Sequence, residues 1–376
     1  TIRSRALTRI MDDVILTAQR ANALCITINR PASLNALNAA CVDALRARLA
    51  DALHNPSITT VIIRGAGDRA FCAGGDVRAI HALLIAGELA RATEFFTREF
   101  MLNAELAAFA ETKPTVALWN GVVMGGGAGV SCYCKIRVAT ERTVFAMPEC
   151  AIGLWPDVGA GWFLHRDVGH AFAVYLSLTG ARVRGIEAKI VGLATHYIEL
   201  ETWERDVQGE IEVLGDACDA RDVADVIRRR ESTVDATAVS YAVSDEGREA
   251  IEDVFGDDQL KSVDDILCAI DAREANAGSD VERAFWNASS AAMRKGSPTS
   301  LAVSLELMRR ARGQSLEWCL GTDNVLIRKF LAGEDFRRGV DAMLIKKTGV
   351  PPANGWDAAS PRVVEDYFSG TPDSKL

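Results

Sequence analysis

The chain carries, from Asn120 to Phe163, the stretch NGVVMGGGAGVSCYCKIRVATERTVFAMPECAIGLWPDVGAGWF. Its triple glycine, Gly125 to Gly127, precedes two acids, Glu149 and Asp157, that lie eight positions apart. Glycine lets a backbone approach a ligand closely, and the N–H groups of such a turn stabilise a developing negative charge. Carboxylates nearby serve as nucleophile, base or acid. The stretch therefore predicts an enzyme that acts on an acyl group.

A second glycine turn lies upstream, in the segment AFCAGGD from Ala70 to Asp76. It follows a predicted strand at 59–63, just as the triple glycine follows a predicted strand at 115–118. A strand that turns through glycines into a helix aims backbone N–H groups at a ligand. Either turn alone is equally typical of an ordinary tight turn. Together they predict two N–H donors for one oxygen, and neither matches a P-loop or a dinucleotide-binding fingerprint.

Around these turns, strand-like and helix-like segments alternate. Short runs of apolar, β-branched residues predict buried strands, and apolar residues spaced three or four apart predict helices. Such alternation indicates an α/β core whose strands are largely parallel. The predicted strands cover 23–28, 59–63, 115–118, 136–139 and 143–146, and the predicted helices cover 38–54, 76–111 and a segment that begins after Gly125.

From about residue 201 onward, charged residues interleave with apolar residues at helical spacing, and no strand-like alternation stands out. The segment Ser297-Pro298-Thr299 predicts a helix start, since proline is favoured in the first helical turn. We therefore expect an α/β region over residues 1–200 and a helical C-terminal region over residues 201–376.

Composition excludes several classes of function. The formal net charge of −9 disfavours a general attraction to nucleic acid or to anionic membranes. No apolar run of about 18 residues is free of charges and glycines, so no membrane span is predicted. The nine cysteines are scattered, and no second Cys/His pair with zinc spacing accompanies Cys132 and Cys134, which predicts reduced thiols and no structural metal site.

Three segments together resemble the crotonase superfamily, also called the enoyl-CoA hydratase/isomerase superfamily. They are RPASLNALN at 30–38, AFCAGGD at 70–76 and NGVVMGGGAG at 120–129. Within it, the segments at 145–164, 175–185 and 192–198 are similar to the 3-hydroxyisobutyryl-CoA hydrolase branch, and those at 297–308 and 335–347 extend the similarity. The resemblance therefore covers most of the chain.

The resemblance implies an α/β fold, a crotonase-like spiral of strand-strand-helix repeats whose acyl-CoA-binding core occupies residues 1–200. It places Gly75 and Gly126 at the positions whose N–H groups form an oxyanion hole. It also implies that Glu149 and Asp157 are catalytic and contact the substrate. The remaining substrate contacts that it implies are Glu99, Ala73 and Asp76.

Gly129 stands where hydratases of the superfamily carry a catalytic glutamate, which argues against hydration by two glutamates. We therefore expect hydrolysis of a short 3-hydroxyacyl-CoA, with 3-hydroxyisobutyryl-CoA of valine catabolism as the leading substrate and with no metal or redox cofactor. Enoyl-CoA hydratase or isomerase chemistry and non-catalytic acyl-CoA binding stay open. So do structural interpretations of Glu149, as an acid at a helix start after Pro148, and of Asp157, as an N-cap.

The predicted acyl pocket departs from the pattern of the branch. Relatives usually read FPDVGGGYF, whereas residues 155–163 of this chain read WPDVGAGWF. Trp155, Ala160 and Trp162 change the side-chain volume beside the predicted acids, and packed sites tolerate added volume poorly. The exact acyl group therefore stays open.

Both ends of the chain carry features typical of targeting signals. Ser374-Lys375-Leu376 matches a peroxisomal signal that an import receptor reads at a free C-terminus. Arg3, Arg5 and Arg9 precede the first acid, as in the remnant of a mitochondrial transit peptide. We expect a peroxisome or a related organelle, with the mitochondrion as the alternative. Trimers are common in the superfamily, which leaves a homo-oligomer open.

Overall fold

A computed structural model of the chain describes residues 14–215, 218–232, 239–349, 356 and 359–372. The chain divides into two compact units. The sheet unit comprises the described residues within Thr1–Asp76, Arg98–Phe145 and Val183–Asp235, and the helical unit those within Val77–Thr97, Ala146–Arg182 and Ala236–Leu376. Every regular element described from Leu200 onward is a helix. The boundary expected at residue 200 stays a prediction.

The strands of the described residues form two sheets, one of six strands and one of four. In chain order they are β1 Ile15–Arg20, β2 Ala23–Ile28, β3 Thr60–Gly65, β4 Ala70–Cys72, β5 Thr115–Trp119, β6 Val122–Met124, β7 Ile136–Ala139, β8 Val144–Ala146, β9 Val183–Arg184 and β10 His196–Tyr197. The larger sheet has the order β1-β2-β3-β5-β7-β10, and the smaller sheet the order β4-β6-β8-β9. In the larger sheet β1 pairs antiparallel with β2, and the strands from β2 to β10 run parallel.

Helices connect these strands and make up most of the helical unit. In chain order they are α1 Ala39–His54, α2 Val77–Ile85, α3 Leu89–Ala110, α4 Gly126–Gly129, α5 Ala160–Val168, α6 His170–Thr179, α7 Glu187–Ile190, α8 Leu200–Thr202, α9 Gln208–Glu212, α10 Ala220–Arg228, α11 Asp245–Phe255, α12 Val263–Ala275, α13 Asp280–Lys295, α14 Pro298–Arg310, α15 Leu316–Ala332, α16 Asp335–Val340 and α17 Pro361–Phe368. None of the described helices is both long enough and apolar enough to cross a membrane.

The strand-strand-helix repeat explains where the glycine turns lie. β3 of the larger sheet leads into β4 of the smaller sheet and then into α2, and β5 leads in the same way into β6 and α4. Each glycine turn therefore follows a strand of the smaller sheet, and β4 and β6 are parallel neighbours. Neighbouring parallel strands end at the same edge, so the two turns meet there.

A hydrophobic core in the sheet unit holds the parallel strands in place. Its buried side chains come from β3, β5 and β7 and from the helical segment that follows β10, and they are Ile62, Val116, Leu118, Ile136, Val138, Ile198, Trp203, Val207, Ile211, Val223, Val226 and Ile227. Each fully buried valine or isoleucine side chain contributes about 1.5–3 kcal/mol of transfer free energy. The core explains why these strands read as continuous apolar runs in the sequence.

The predicted α/β core with largely parallel strands is confirmed, and so is the helix start at Ser297, which caps α14 by accepting from the N–H of Ser300. The helical stretch predicted over 76–111 is confirmed, but it is not one continuous helix. Two helices, α2 and α3, occupy that range, and they separate at Gly87, whose φ of 75° lies in the left-handed region. A residue there ends a helix, and glycine adopts it at little cost.

Candidate active site

The loop from Arg30 to Asn38 holds the first glycine turn of the sheet unit. Leu34 O accepts from Ala73 N at 3.0 Å, and Leu37 N donates to Gly74 O at 2.8 Å. Asp76 N in turn donates to Leu37 O at 2.7 Å. Because these hydrogen bonds enclose Gly75, its position is fixed by backbone contacts.

Two polar side chains brace this loop. Asn35 Nδ2 donates to Ala70 O at 2.7 Å and to Ala66 O at 2.9 Å, and its Oδ1 accepts from Arg30 N at 2.9 Å. The Arg30 guanidinium pairs with Asp76 Oδ2 at 2.9 Å. In the sequence, residues 30–38 were recognised only as a family motif. In the structure, they support the first glycine turn. The substrate contacts expected of Ala73 and Asp76 stay predictions.

The second glycine turn brings Gly126 beside Gly75. A Cβ placed on Gly126 would lie 3.2 Å from Gly75 N, so the two peptides are neighbours. Gly126 is the first residue of α4, and an N–H in that position has no acceptor within its own helix. The same hypothetical Cβ would overlap Glu99 Oε1, so any larger residue here would require the Glu99 carboxyl group to move. The sequence prediction that the two turns lie together is confirmed in the sheet unit.

Glu99 lies on α3 with its carboxyl group against Gly126 and is 1% exposed. Burial raises the pKa of Glu99 to about 8, because a carboxylate loses its hydration there. Its Oε1 has no hydrogen-bond partner among the residues that the structure describes. At neutral pH this group is therefore largely protonated, and it offers one O–H donor beside the turn.

Glu149 opens a 3-10 helix, Glu149–Ile152, in the helical unit and is buried. Its carbonyl accepts from Leu154 N at 3.1 Å, and the carbonyl of Cys150 accepts from Ser297 N at 3.0 Å. Glu149 thus lies at a helix start, as the structural interpretation expected. Four residues, however, give only a small helix dipole to a carboxylate, so this position alone is a weak reason for an acid.

The helix α16 closes over the Glu149 turn. A Cβ placed on Gly339 would lie 2.8 Å from Ile152 Cα, which is closer than packed atoms approach. At the start of α16, Asp335 Oδ2 accepts from Ser297 Oγ at 2.5 Å. The turn is therefore held by backbone contact on one side and by hydrogen bonds on the other.

Asp157 is buried in the loop between the 3-10 helix and α5. The interpretation of Asp157 as an N-cap is wrong, because Gly159 is the N-cap residue of α5. The residue between them, Val158, has a φ of 50°, which is rare for a β-branched side chain.

A carboxylate that the sequence did not single out brackets this loop. Asp323, on α15, accepts from Trp155 Nε1 at 2.9 Å and from Gly159 N at 2.8 Å. Burial raises the pKa of Asp323 to about 7, against the lowering effect of these two donors. Trp155 and Gly159 lie more than 160 positions before Asp323, so the sequence does not show that these residues interact. In the sequence, Asp323 is notable only as an acid among helically spaced apolar residues.

Cys150 is the cysteine directly beside Glu149, and it is buried. Burial raises the pKa of the Cys150 thiol, next to Glu149, to about 12, so it is not a thiolate nucleophile at neutral pH. Among the described residues, no three histidine, cysteine, aspartate or glutamate side chains gather as a metal site.

Comparison with known proteins gives the family. Residues 23–368 match the family described as enoyl-CoA hydratase/isomerase. The chain belongs to that family. A crystal structure of a carnitinyl-CoA dehydratase from Mycobacterium thermoresistibile superposes with a TM-score of 0.81 at 30% identity, over 95% of this chain and 96% of that one. The predicted crotonase-like fold is confirmed.

Curated relatives refine the comparison. The chain is 36% identical to 3-hydroxyisobutyryl-CoA hydrolase, mitochondrial, of Danio rerio, over 91% of this chain and 85% of the relative. It is also 32% identical to small ribosomal subunit protein mS47 of Neurospora crassa, over 94% of this chain and 70% of the relative. The similarity to the 3-hydroxyisobutyryl-CoA hydrolase branch is therefore confirmed.

The predicted targeting signals lie outside the described residues. These are the C-terminal Ser374-Lys375-Leu376 and the N-terminal arginines Arg3, Arg5 and Arg9. The Danio rerio relative is named as mitochondrial, which agrees with the alternative location. The peroxisomal location and its import receptor stay predictions without support from the relatives.

Proposed function

We propose that this protein hydrolyses 3-hydroxyisobutyryl-CoA to 3-hydroxyisobutyrate and CoA, a step of valine catabolism. The observation that carries the proposal is the pair of neighbouring glycine turns, with Gly129 rather than a glutamate three residues after Gly126. A hydratase of this family needs a second glutamate there. A thioester hydrolase needs an oxyanion site and one activated carboxylate, which this chain retains.

The first step is polarisation of the thioester. The N–H groups of Gly75 and Gly126 hold the carbonyl oxygen and then the oxyanion of the tetrahedral intermediate. Removing one donor of this kind typically lowers kcat by about 10²–10³. The protonated carboxyl group of Glu99, beside Gly126, contacts the bound acyl group as a hydrogen-bond donor.

Glu149 supplies the attack on the polarised carbonyl. In one route its carboxylate adds to the carbonyl carbon, the C–S bond breaks, CoA leaves as a thiolate that takes up a proton, and water hydrolyses the mixed anhydride. In the other route Glu149 removes a proton from a water molecule that attacks directly. Both routes give the same products, and both need Glu149 ionised.

Asp157 contributes recognition of the substrate. Its carboxylate accepts a hydrogen bond from the 3-hydroxyl of the acyl group and orients the attacking water. Hydrolysis of a thioester consumes only water, so the reaction needs no metal or redox cofactor, and coenzyme A enters as part of the substrate.

Thiol release from a panel of short acyl-CoA thioesters tests the proposal. We expect the fastest release from 3-hydroxyisobutyryl-CoA, measured with a thiol reagent. Crotonyl-CoA is the matched negative substrate. If the enzyme consumes the conjugated enoyl absorbance without releasing thiol, the protein is a hydratase and the proposal is wrong.

The Neurospora crassa relative favours a second candidate, a non-catalytic acyl-CoA-binding protein, because its name is that of a ribosomal subunit protein. Retention of both glycine turns together with Glu149 and Asp157 weighs against this candidate. Calorimetric binding of CoA without thiol release from any short acyl-CoA would select it.

We also propose a mitochondrial location, on the strength of the named relatives. Fluorescent fusions at each end separate the alternatives. A protein that reaches mitochondria only when its N-terminus is unblocked supports the proposal, and one that reaches peroxisomes only when its C-terminus is unblocked contradicts it.

A further inference from the structure

Asp323 lies on α15 in the helical unit and is 1% exposed. Its two carboxylate oxygens accept from two donors, Trp155 Nε1 at 2.9 Å and Gly159 N at 2.8 Å. These donors lie two positions before and two positions after Asp157. One buried carboxylate therefore fixes both ends of the five-residue loop that carries Asp157.

The loop needs such support because its backbone is strained. Val158 has a φ of 50°, and a β-branched residue in the left-handed region is a genuine outlier that persists only where its surroundings determine it. The strained residue directly follows Asp157. Relaxation of Val158 toward an ordinary conformation would therefore redirect the Asp157 side chain.

A second contact from α15 acts on the same loop. The Trp155 ring stacks on Phe330 with a centroid distance of 4.7 Å and an interplanar angle of 29°. Phe330 lies seven positions after Asp323, so both residues lie on one face of α15. Ring stacking and the Nε1–H hydrogen bond together hold Trp155 in one orientation.

We propose that Asp323 is a positioning residue that sets the selectivity for the 3-hydroxyl group by holding Asp157 in place. Both carboxylate oxygens of Asp323 accept from donors of the loop, so Asp323 acts through the loop. This inference rests on the proposed function, in which Asp157 accepts the substrate hydroxyl. A site built to hydrogen-bond a hydroxyl discriminates strongly against the analogue that lacks it.

The experiment compares kcat/KM for 3-hydroxyisobutyryl-CoA and isobutyryl-CoA, which differ only in that hydroxyl group. The main variant is Asp323→Asn. Its amide group has only one oxygen acceptor, so one of the two loop donors faces an N–H group and loses its hydrogen bond. We expect the ratio of the two kcat/KM values to fall by about tenfold or more, because isobutyryl-CoA loses only the orientation of the attacking water, whereas 3-hydroxyisobutyryl-CoA also loses the hydrogen bond to its hydroxyl group. In the double variant Asp157→Asn/Asp323→Asn, the ratio should match that of Asp157→Asn alone, since residues that act as a unit are not additive.

The matched control is Thr322→Val, which changes the neighbouring buried residue of α15 to one of the same shape. The Thr322 hydroxyl has no hydrogen-bond partner within the described residues, so this variant should keep the ratio. If Asp323→Asn does not fold by circular dichroism, Trp155→Phe decides the question, because it removes one of the two hydrogen bonds and keeps an aromatic ring against Phe330. A lowered ratio in Trp155→Phe supports the role.

The inference is overturned if the folded Asp323→Asn variant keeps the wild-type ratio of the two kcat/KM values. If Asp323→Asn does not fold, the same result in Trp155→Phe overturns it. An equal fall for both substrates also overturns it, because a general structural loss does not distinguish the hydroxyl. These outcomes differ from failure of the proposed function, in which the wild-type protein releases no thiol from either substrate.

Discussion

Substitution of Gly126 by alanine tests the geometry of the second glycine turn. The added Cβ would overlap Glu99 Oε1 and would lie 3.2 Å from Gly75 N. Either the Glu99 carboxyl group or the turn must move, and a methyl group forced into a packed region typically costs about 1–3 kcal/mol of stability. Because the displaced backbone carries a proposed oxyanion donor, we expect kcat to fall by about 10²–10³.

The assay is thiol release from 3-hydroxyisobutyryl-CoA, with the free energy of unfolding measured by chemical denaturation. Gly209→Ala is the matched control, because a Cβ there meets no atom within 4 Å and Gly209 lies in helix α9. Alanine in a helix is more stable than glycine by about 1 kcal/mol, so the control should be active and no less stable. In the double variant Gly126→Ala/Glu99→Ala, the lost side chain makes room for the methyl group, and stability should recover further than kcat. Wild-type kcat in Gly126→Ala would refute the oxyanion role of this turn.

Three further predictions concern the groups around the turns. Because burial raises the pKa of Glu99 from 4.5 to about 8, its protonated form stabilises the folded state, fully so below pH 4.5, and this stability is lost as the pH rises through about 8. Chemical denaturation at a series of pH values should show this fall in the free energy of unfolding of the wild-type protein, and a smaller fall in Glu99→Gln. Identical pH profiles for the two proteins would contradict the raised pKa of Glu99. Gly339→Ala places a Cβ 2.8 Å from Ile152 Cα. We expect the variant to lose about 1–3 kcal/mol of stability, and kcat to fall because the Glu149 turn is displaced. A fully active variant would show that α16 does not hold this turn. Iodoacetamide at pH 8 should alkylate the exposed Cys268 and leave the buried Cys150 unmodified, with kcat unchanged. Peptide mass spectrometry identifies the labelled cysteines, and labelling of Cys150 in the native enzyme would contradict its burial.

The sequence predicted those parts of the fold that depend on local pattern. The strand at 23–28 and the helix at 38–54 were predicted from the spacing of apolar residues. The smaller sheet was only partly predicted, because β4 and β6 have three residues each and are too short for an alternation to show. The break at Gly87 went unrecognised because its neighbours keep helical spacing on both sides.

The candidate site was also predicted only in part. The glycine turns, Glu149 and Asp157 stand in the family segments at 70–76, 120–129 and 145–164, so the sequence predicts them. Asp323 does not, since its role comes from hydrogen bonds to Trp155 and Gly159, which lie more than 160 positions earlier in the chain. Arg30 was part of a quoted motif, but its pairing with Asp76 is a tertiary contact that spacing does not encode.

One measurement tests the central claim most directly. The rate of thiol release from 3-hydroxyisobutyryl-CoA is compared between the wild-type protein and Glu149→Gln, which keeps the size of the side chain and removes its charge. If Glu149 is the nucleophile or the base, release should fall by at least about 10², the lower range for general-base catalysis, while circular dichroism stays unchanged. Near-normal release by a folded Glu149→Gln variant would contradict the account.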